Sequence, residues 1–414
     1  MKILVLSKKF SFPLNEGEPI ATGYLARSLR KEGCVIDLLV MNTSRNPTDP
    51  DRLSEGRDIF RKIISVPVNT DITVQGAFAS LLQGRSYIAA RFFQPVYQDR
   101  LRELLREVAL EADGGYDIVQ LETVYLAAYI PVIRSCTDAR ISIRSHNVEH
   151  RIWARQLSLT KNPLRWAYLA YQQWLLKRFE INRSASADCL LAISTEDLAY
   201  FRRAGAAPKA SLAASVGIPV EEYHPDPTAF RTRPASVCFI GTLDWQPNKS
   251  GIFWFLDTIW PLVSERFPHA TFHLAGKNMP SQLLNRKQRN VVIHGEVPDA
   301  KAFINHSPIL VAPLLSGSGI KIKILEAMAL GRVVITTDIG AEGIAAQKGK
   351  EIMLANNPLG FVEQLAWCFH HPTALPAIGE AARQFIERNF DSADIAKQVK
   401  TLYRQAVGPA GQAR

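Results

Sequence analysis

Short uninterrupted apolar runs alternate along this chain with longer stretches in which apolar positions return every three or four residues. Lys2-Ile-Leu-Val-Leu-Ser7 is the first run. A loop with Pro13, Gly17 and Pro19 follows, then a stretch from about 20 to 32 in which Ile20, Tyr24, Leu25 and Leu29 share one face before Gly33 ends it. Val35-Ile-Asp-Leu-Leu-Val40 comes at once after that. Strand, helix and second buried strand predict one βαβ unit with a parallel pair. Further runs at 118–121, 139–143 and 189–193, with helical patterns at 88–112 and 162–184 between them, predict a doubly wound sheet.

The second half repeats the rhythm. Strands are predicted at 237–240, 271–275, 291–293, 309–312 and 333–336, and helices at 250–266, 298–305, 320–330 and 358–370. Pro219 to Pro234, with Pro225 and Pro227 amid mixed charge, reads as a linker. The expectation is an α/β protein of two Rossmann-like domains, residues 1–225 and 233–388, facing each other across a cleft.

Composition narrows the class. With 414 residues, 47% hydrophobic and 21% charged, the chain is too long for one small core and too apolar for disorder. The longest uncharged stretch, from Ala302 to Ile320, contains Asn305, His306, prolines and glycines, so it reads as strand plus loop and not as a membrane span. The N-terminal apolar run is too short for a secretory signal. Cys34, Cys136, Cys189, Cys238 and Cys368 match neither a disulfide framework nor a zinc pattern, which favours a reducing cytoplasm. The formal net charge of +10 is the one unusual feature, and it admits nucleic acid, an anionic membrane surface or a phosphorylated substrate.

The sharpest chemical signal follows the strand at 309–312. Gly317-Ser318-Gly319-Ile320-Lys321-Ile-Lys323-Ile-Leu-Glu326 opens a helix, where glycines let backbone approach a ligand and free amides favour an anion. Lys321 and Lys323 add charge there. Lys323 and Glu326 are three apart, so a cation and an acceptor share one helix face, fitting a diphosphate beside ribose hydroxyls. The plain alternative is a strand–turn–helix junction with a surface ion pair.

In the first half, Arg144-Ser-His146-Asn147-Val-Glu149-His150 lies at a strand end, the edge where α/β folds place ligands. His150 reads as an ordinary structural residue. Glu122 and Tyr125 end another strand, and Glu16 and Glu18 flank Gly17 in the first loop. With Arg144 and Asn147 they are candidate acceptor contacts. Residues 151–183 hold seven Lys and Arg against Glu180 alone, interleaved with Trp153, Trp166, Tyr168, Tyr171 and Trp174. This suits either a helix lying on anionic lipid or one that buries its aromatics and shows its cations to water. No nucleic-acid motif accompanies the charge.

The Gly317–Gly331 segment with the following Val-Val-Ile-Thr-Thr resembles the nucleotide-sugar loop and helix of the retaining glycosyltransferases of family 4 (glycosyl transferases group 1), which have the GT-B fold. Gly241-Thr242-Leu-Asp-Trp-Gln-Pro-Asn248-Lys249 is similar to that family's donor-phosphate loop, and Ser194 and Gly217-Ile218-Pro219 sit where the family has a serine and an Asn-Gly-Val element. The resemblance implies that Glu326 binds ribose hydroxyls. It places Lys323, Lys321, Gly317, Gly319, Ile320, Asn248, Lys249, Gly241 and Thr242 around the diphosphate and sugar. Thr242 stands where many members have Arg, and Ser318 where many have a second glutamate. His146, Gly17 and Ser318 are the implied reaction-centre positions, with Asn147 in place of a familiar Asp. A final helix at about 389–407 is implied to pack back on the first domain.

The implied activity is transfer of a sugar, with retention, from a nucleotide-diphosphate donor to a saccharide or lipid-linked saccharide. It would need no metal or other cofactor and would serve bacterial surface polysaccharide synthesis. The protein would be cytoplasmic; whether 151–183 lies on the inner membrane face is left open, as is its oligomeric state. The rival readings are a nucleotide-sugar epimerase of the same plan and an inactive nucleotide-sugar-binding protein.

Overall fold

The computed structural model describes residues 1–10, 12, 17–44, 47, 54–158, 160–317 and 319–408. The chain divides into two compact units, Met1–Gly217 with Ser392–Arg414, and Ile218–Asp391.

The first unit is built on seven parallel strands: β1 (Lys2–Ser7), β2 (Val35–Asn42), β3 (Lys62–Pro67), β4 (Ile118–Leu121), β5 (Arg140–Ser145), β6 (Cys189–Ala192) and β7 (Ala210–Ala213), in the order β3-β2-β1-β4-β5-β6-β7. Alternate residues of β1 and β2 enter different cores. Leu4, Leu6 and Leu39 pack on one face with Leu101, Leu104 and Ile133, while Ile3, Val5 and Leu38 pack on the other with Leu25, Leu29 and Val399. Both faces are covered, which is why these strands are continuous apolar runs. The second core is closed by the helix Gly17–Lys31 and the C-terminal helix Ser392–Val407, whose Ile395, Ala396, Val399 and Tyr403 are buried.

The second unit carries six parallel strands: β8 (Ser236–Ile240), β9 (Thr271–Ala275), β10 (Val291–Gly295), β11 (Ile309–Ala312), β12 (Val333–Thr336) and β13 (Met353–Leu354), in the order β10-β9-β8-β11-β12-β13. Both units are therefore Rossmann-like α/β sheets.

Several expected boundaries move. β3, β7 and β13 were not anticipated from the hydrophobic pattern; each is an edge strand, half-buried or only two residues long, so it lacks a continuous apolar run. The helix expected at 88–112 is two, Tyr87–Ala90 and Pro95–Ala109, because Pro95 restarts it. The helix expected at 250–266 is Gln246–Trp254 and Trp260–Arg266 joined by a π turn at Phe255–Ile259. Pro261, which lacks an N–H, sits just beyond that turn. The stretch expected at 389–407 starts at Ser392, after the helix Leu375–Asn389 has ended.

The largest correction concerns Pro219–Pro234. It is no linker, and the boundaries expected at 225 and 233 fall inside the second unit. Ile218 bridges Asp391, Tyr223 is fully buried, and Arg383 donates to the carbonyls of Tyr223 (2.7 Å) and Ala329 (2.6 Å). The prolines stiffen a strap laid over its own unit.

Asp37, the one charge inside β2, is fully buried. Arg61 grips it through Nε (2.9 Å), Tyr116 donates its hydroxyl (2.7 Å), and the Lys62 amide donates at 3.1 Å. Removing the carboxylate strips Arg61 Nε, the Tyr116 hydroxyl and the Lys62 amide of their acceptor and leaves Arg61 with Glu111 alone. Asp37→Ala is expected to lower the unfolding free energy by about 3 kcal/mol, the low end for a broken buried pair because Arg61 keeps some exposure, as read by urea denaturation.

Candidate functional site

Each sheet reverses its strand order once, between β1 and β4 in the first and between β8 and β11 in the second. Connections leave a reversal point in opposite directions, so a crevice opens beyond the strand ends there. The candidate residues lie on the loops that leave these four strands or on the elements next to them.

In the second unit, the loop after β8 runs through Gly241 and Thr242 into the helix Gln246–Trp254, and the loop after β11 runs to the helix Ile322–Ala329. Lys323 spans the two. Its ammonium donates to Asn248 Oδ1 at 2.6 Å and lies 4.3 Å from the centre of the Phe239 ring. Asn248 in turn donates to the Thr242 carbonyl at 2.9 Å. Gly241 leaves room for this contact, since a Cβ there would stand 2.5 Å from Lys323 Nζ and 2.8 Å from Asn248 Nδ2 and would push the lysine or the asparagine aside. Lys323 is recessed among protein groups, and that burial, with Lys321 nearby, pushes its pKa down to about 7.

One turn on, Glu326 accepts the Tyr223 hydroxyl at 2.8 Å, and burial raises its carboxyl pKa against the pull of that bond and of Lys301 and Lys323. Lys301 lies 4.2 Å from the Tyr223 ring centre. The pattern around Tyr223 gives no sign of its role, because it sits in the proline-rich strap, where it and Phe230 are isolated among polar residues and prolines.

The glycine loop is held by its own lysine. Gly317 and Gly319 adopt φ of +117° and +75°, conformations that favour glycine. The Lys321 ammonium, expected to face an anion, bonds the carbonyls of Gly319 and Ile339 and is 5% exposed, so it braces the loop. The Gly319 and Ile320 amides donate to no protein acceptor among the described residues. Lys249 is half-buried, and its amide donates to Trp245 O. Ser318 lies outside the described residues.

In the first unit the strand ends converge on Glu122, just past β4 and wholly buried. It accepts from Thr22 Oγ1 (3.0 Å), from the Gln120 amide, and from Arg144 Nη1 (3.4 Å), and its Oε2 lies 2.8 Å from His146 Nε2. Burial alone would raise this carboxyl; Arg144 and His146 outweigh it and hold the pKa near about 2. Tyr403, from the C-terminal helix, donates to Gln120 Oε1 at 2.7 Å.

Glu122 and Arg144, expected as acceptor contacts, have no exposed side-chain surface. They are a buried support for His146, which keeps 11% of its side chain open. Asn147 is half-buried, and its carbonyl accepts from Ser145 Oγ.

Beside them, Lys8 pairs with Glu18 at 3.1 Å, and the Tyr125 hydroxyl donates to Glu149 at 2.8 Å. Burial would lower the pKa of Lys8, yet Glu18 and Glu149 raise it; burial raises that of Glu149. Gly17 begins the helix that carries Glu18, Ala21 and Thr22. Glu16 lies outside the described residues. His150 bonds Glu180 and, at 2.7 Å, the Tyr200 hydroxyl, a structural arrangement. Ser194 caps the helix Thr195–Arg203. Among the described residues no group of three or more His, Cys, Asp or Glu is placed to hold a metal ion.

Residues 234–371, which include both candidate loops of the second unit, match the family model for glycosyl transferases group 1. Along nearly its whole length the chain is 24% identical to an uncharacterized 44.6 kDa protein in the cps region of Klebsiella pneumoniae, covering 96% of this chain and 98% of that one. Among solved structures it is similar to sucrose-phosphate synthase of Thermosynechococcus elongatus (TM-score 0.66, 14% identity, 98% and 99% of the two chains covered). It is also similar to Anabaena HepE in complex with UDP-glucose (TM-score 0.63, 13% identity, 97% and 98% covered). The resemblance to glycosyl transferases group 1 read from the Gly317–Gly331 motif is thus borne out, and the two Rossmann-like α/β units have the GT-B fold.

Lys323 loses its charge as pH rises through about 7, where an ordinary lysine keeps it to above 10. The affinity of this recess for an anion, measured as pyrophosphate binding by titration calorimetry, is expected to fall by up to about tenfold per pH unit above 7. Proton uptake on binding should appear as a buffer-dependent heat, and Lys323→Arg should flatten the profile.

Proposed function

We propose that the chain is a glycosyltransferase that takes a sugar from a nucleoside-diphosphate donor and passes it, with retention, to a saccharide or lipid-linked saccharide acceptor. The observation that carries this reading is the pair on the helix Ile322–Ala329: a recessed Lys323 tied to Asn248, and Glu326 held by Tyr223, inside the matched segment. The UDP-glucose complex of HepE supports a nucleotide sugar as donor. The cps-region setting of the Klebsiella pneumoniae relative supports a place in capsule polysaccharide synthesis.

In this reading the Glu326 carboxylate accepts two ribose hydroxyls, and Lys323 with the Gly319 and Ile320 amides faces the diphosphate. Gly241, Thr242, Asn248 and Lys249 shape the opposite wall, and Lys321 and Gly317 keep the amides in place. The anomeric C–O bond breaks with its electron pair going to the departing phosphate oxygen. Fixed amides and a desolvated ammonium stabilise that charge at no reorganisation cost. The acceptor oxygen bonds the same face of the anomeric carbon, and its proton passes to the departing phosphate. Reaction-centre roles are proposed for His146, its ring oriented by Glu122, and for Gly17 and Ser318; Asn147 is proposed as an acceptor contact. Glu16, Glu18 and Tyr125 belong on the acceptor side.

The test is incubation with a panel of nucleotide sugars, with and without oligosaccharide and lipid-linked acceptors, the product's anomeric configuration being read by NMR. Acceptor-dependent, retained product is expected. Glu326→Ala should cut turnover or donor affinity by about 10²-fold, and His146→Ala should lower kcat similarly while leaving nucleoside-diphosphate affinity unchanged. Acceptor-independent epimerisation would make the protein an isomerase. Tight binding without turnover would make it a binding protein.

A further inference from the structure

Seven of the eleven large exposed apolar side chains among the described residues of the first unit lie on two helices. The helix Val74–Leu82 has no charged residue, and Val74, Phe78 and Leu82, spaced by four, are 87%, 61% and 76% exposed. Spacing by four keeps them on one helix face, so this short helix presents an apolar stripe to solvent where a soluble surface would be polar.

The long helix Pro163–Ser186 bears a second stripe. Its first turn stands clear of the unit, with Leu164 83% and Trp166 49% exposed. Farther on, Tyr171, Trp174 and Arg178 return at helical spacing on the outside. Tyr171 and Trp174 stack with centroids 5.9 Å apart, and the Arg178 guanidinium lies 4.8 Å from the Trp174 ring centre. The alternative in which this helix buries its aromatics fails for Trp166, Tyr171 and Trp174; Trp153, on the preceding helix, is the one that packs on the core. Tyr87 fastens the two stripes together. Its hydroxyl accepts from the amide of Thr73, the cap of the short helix, at 2.8 Å, and its own amide donates to Gln172 Oε1 of the long helix at 2.7 Å.

Charge selects the occupant. Lys161, Arg165, Lys177 and Arg178 are exposed around the aromatic stripe, and Arg85 follows the short helix. The one acid between 151 and 183, Glu180, is buried and bonded to His150 and to the Glu149 amide. A second copy of this chain would set these cations against their equals. Apolar side chains flanked by Trp, Tyr and unopposed cations fit an interface that is apolar below and anionic above.

We propose that this face docks on an anionic lipid bilayer. Val74, Phe78, Leu82 and Leu164 enter the acyl boundary, the rings of Trp166, Tyr171 and Trp174 lie at headgroup depth, and the cations meet lipid phosphates. Among the described residues no helix is long and apolar enough to cross a membrane, so the contact is one of lying on the surface. The inference rests on this surface and not on the reaction proposed above.

The full chain is mixed with vesicles of phosphatidylcholine alone or containing phosphatidylglycerol, and binding is read by co-sedimentation and by quenching of tryptophan emission with brominated lipid. Binding to the acidic vesicles, weakening as salt is raised, is expected. Phe78→Glu with Leu82→Glu should lower partitioning at least about tenfold, and Lys177→Gln with Arg178→Gln should lower it about five-fold per charge removed. Circular dichroism and nucleoside-diphosphate affinity should be unchanged, which separates this test from that of the reaction. Equal binding to neutral vesicles, no binding, or variants that bind like the parent would overturn the proposal. So would concentration-dependent self-association abolished by the same variants, which would make a second copy the occupant.

Discussion

Everything proposed for the second unit depends on one desolvated cation. The reversal between β8 and β11 sends two loops apart, and a bare crevice there would offer only backbone. Lys323 crosses it to Asn248 Oδ1 with the Phe239 ring beneath. Gly241 makes room for it on one side, because a Cβ would stand 2.5 Å from the ammonium and displace it from Asn248. It also makes the cation unstable enough to have a pKa near 7, so an incoming anion restores what burial removed. Glu326, three residues on, needs the same recess, and Tyr223 keeps it oriented there.

How much of this was legible follows from the geometry. Interior parallel strands are buried on both faces, so Lys2–Ser7, Val35–Asn42 and Ile309–Ala312 stood out as apolar runs, while the edge strands β3 and β7, half in water, did not. The helix bearing Lys323 and Glu326 was readable because three-residue spacing puts both on one face. Their partners were not, since Asn248 is 75 residues away and Tyr223 is 103. Lys321 shows the limit of counting charges: sequence reveals that a cation is present, and only the fold turns it onto the carbonyls of Gly319 and Ile339. Between 151 and 183 the basic and aromatic residues were plain, but which aromatics face water depends on how far the long helix overhangs its neighbours.

The two edges of the first sheet treat buried charge in opposite ways. Near the start of β2, the Asp37 carboxylate meets Arg61, Tyr116 and the Lys62 amide, a closed set of donors that stabilises and binds nothing. At the opposite edge Arg144, just as buried, bonds Ala21 O and Glu122 through Nη1 alone; its Nε and Nη2, and Glu18 Oε1, find no partner among the described residues. Each such orphan costs about 1–3 kcal/mol. The fold that satisfies Asp37 so fully forgoes that stability at the reversal between β1 and β4, beside His146, as it does at scattered places elsewhere, such as Gln172 Nε2 and Arg332 Nη1. Arg144 has no exposed side-chain surface, so its spare donors suit an enclosed water, and within this cluster the partly open His146 is the group left for the substrate side of the proposed reaction.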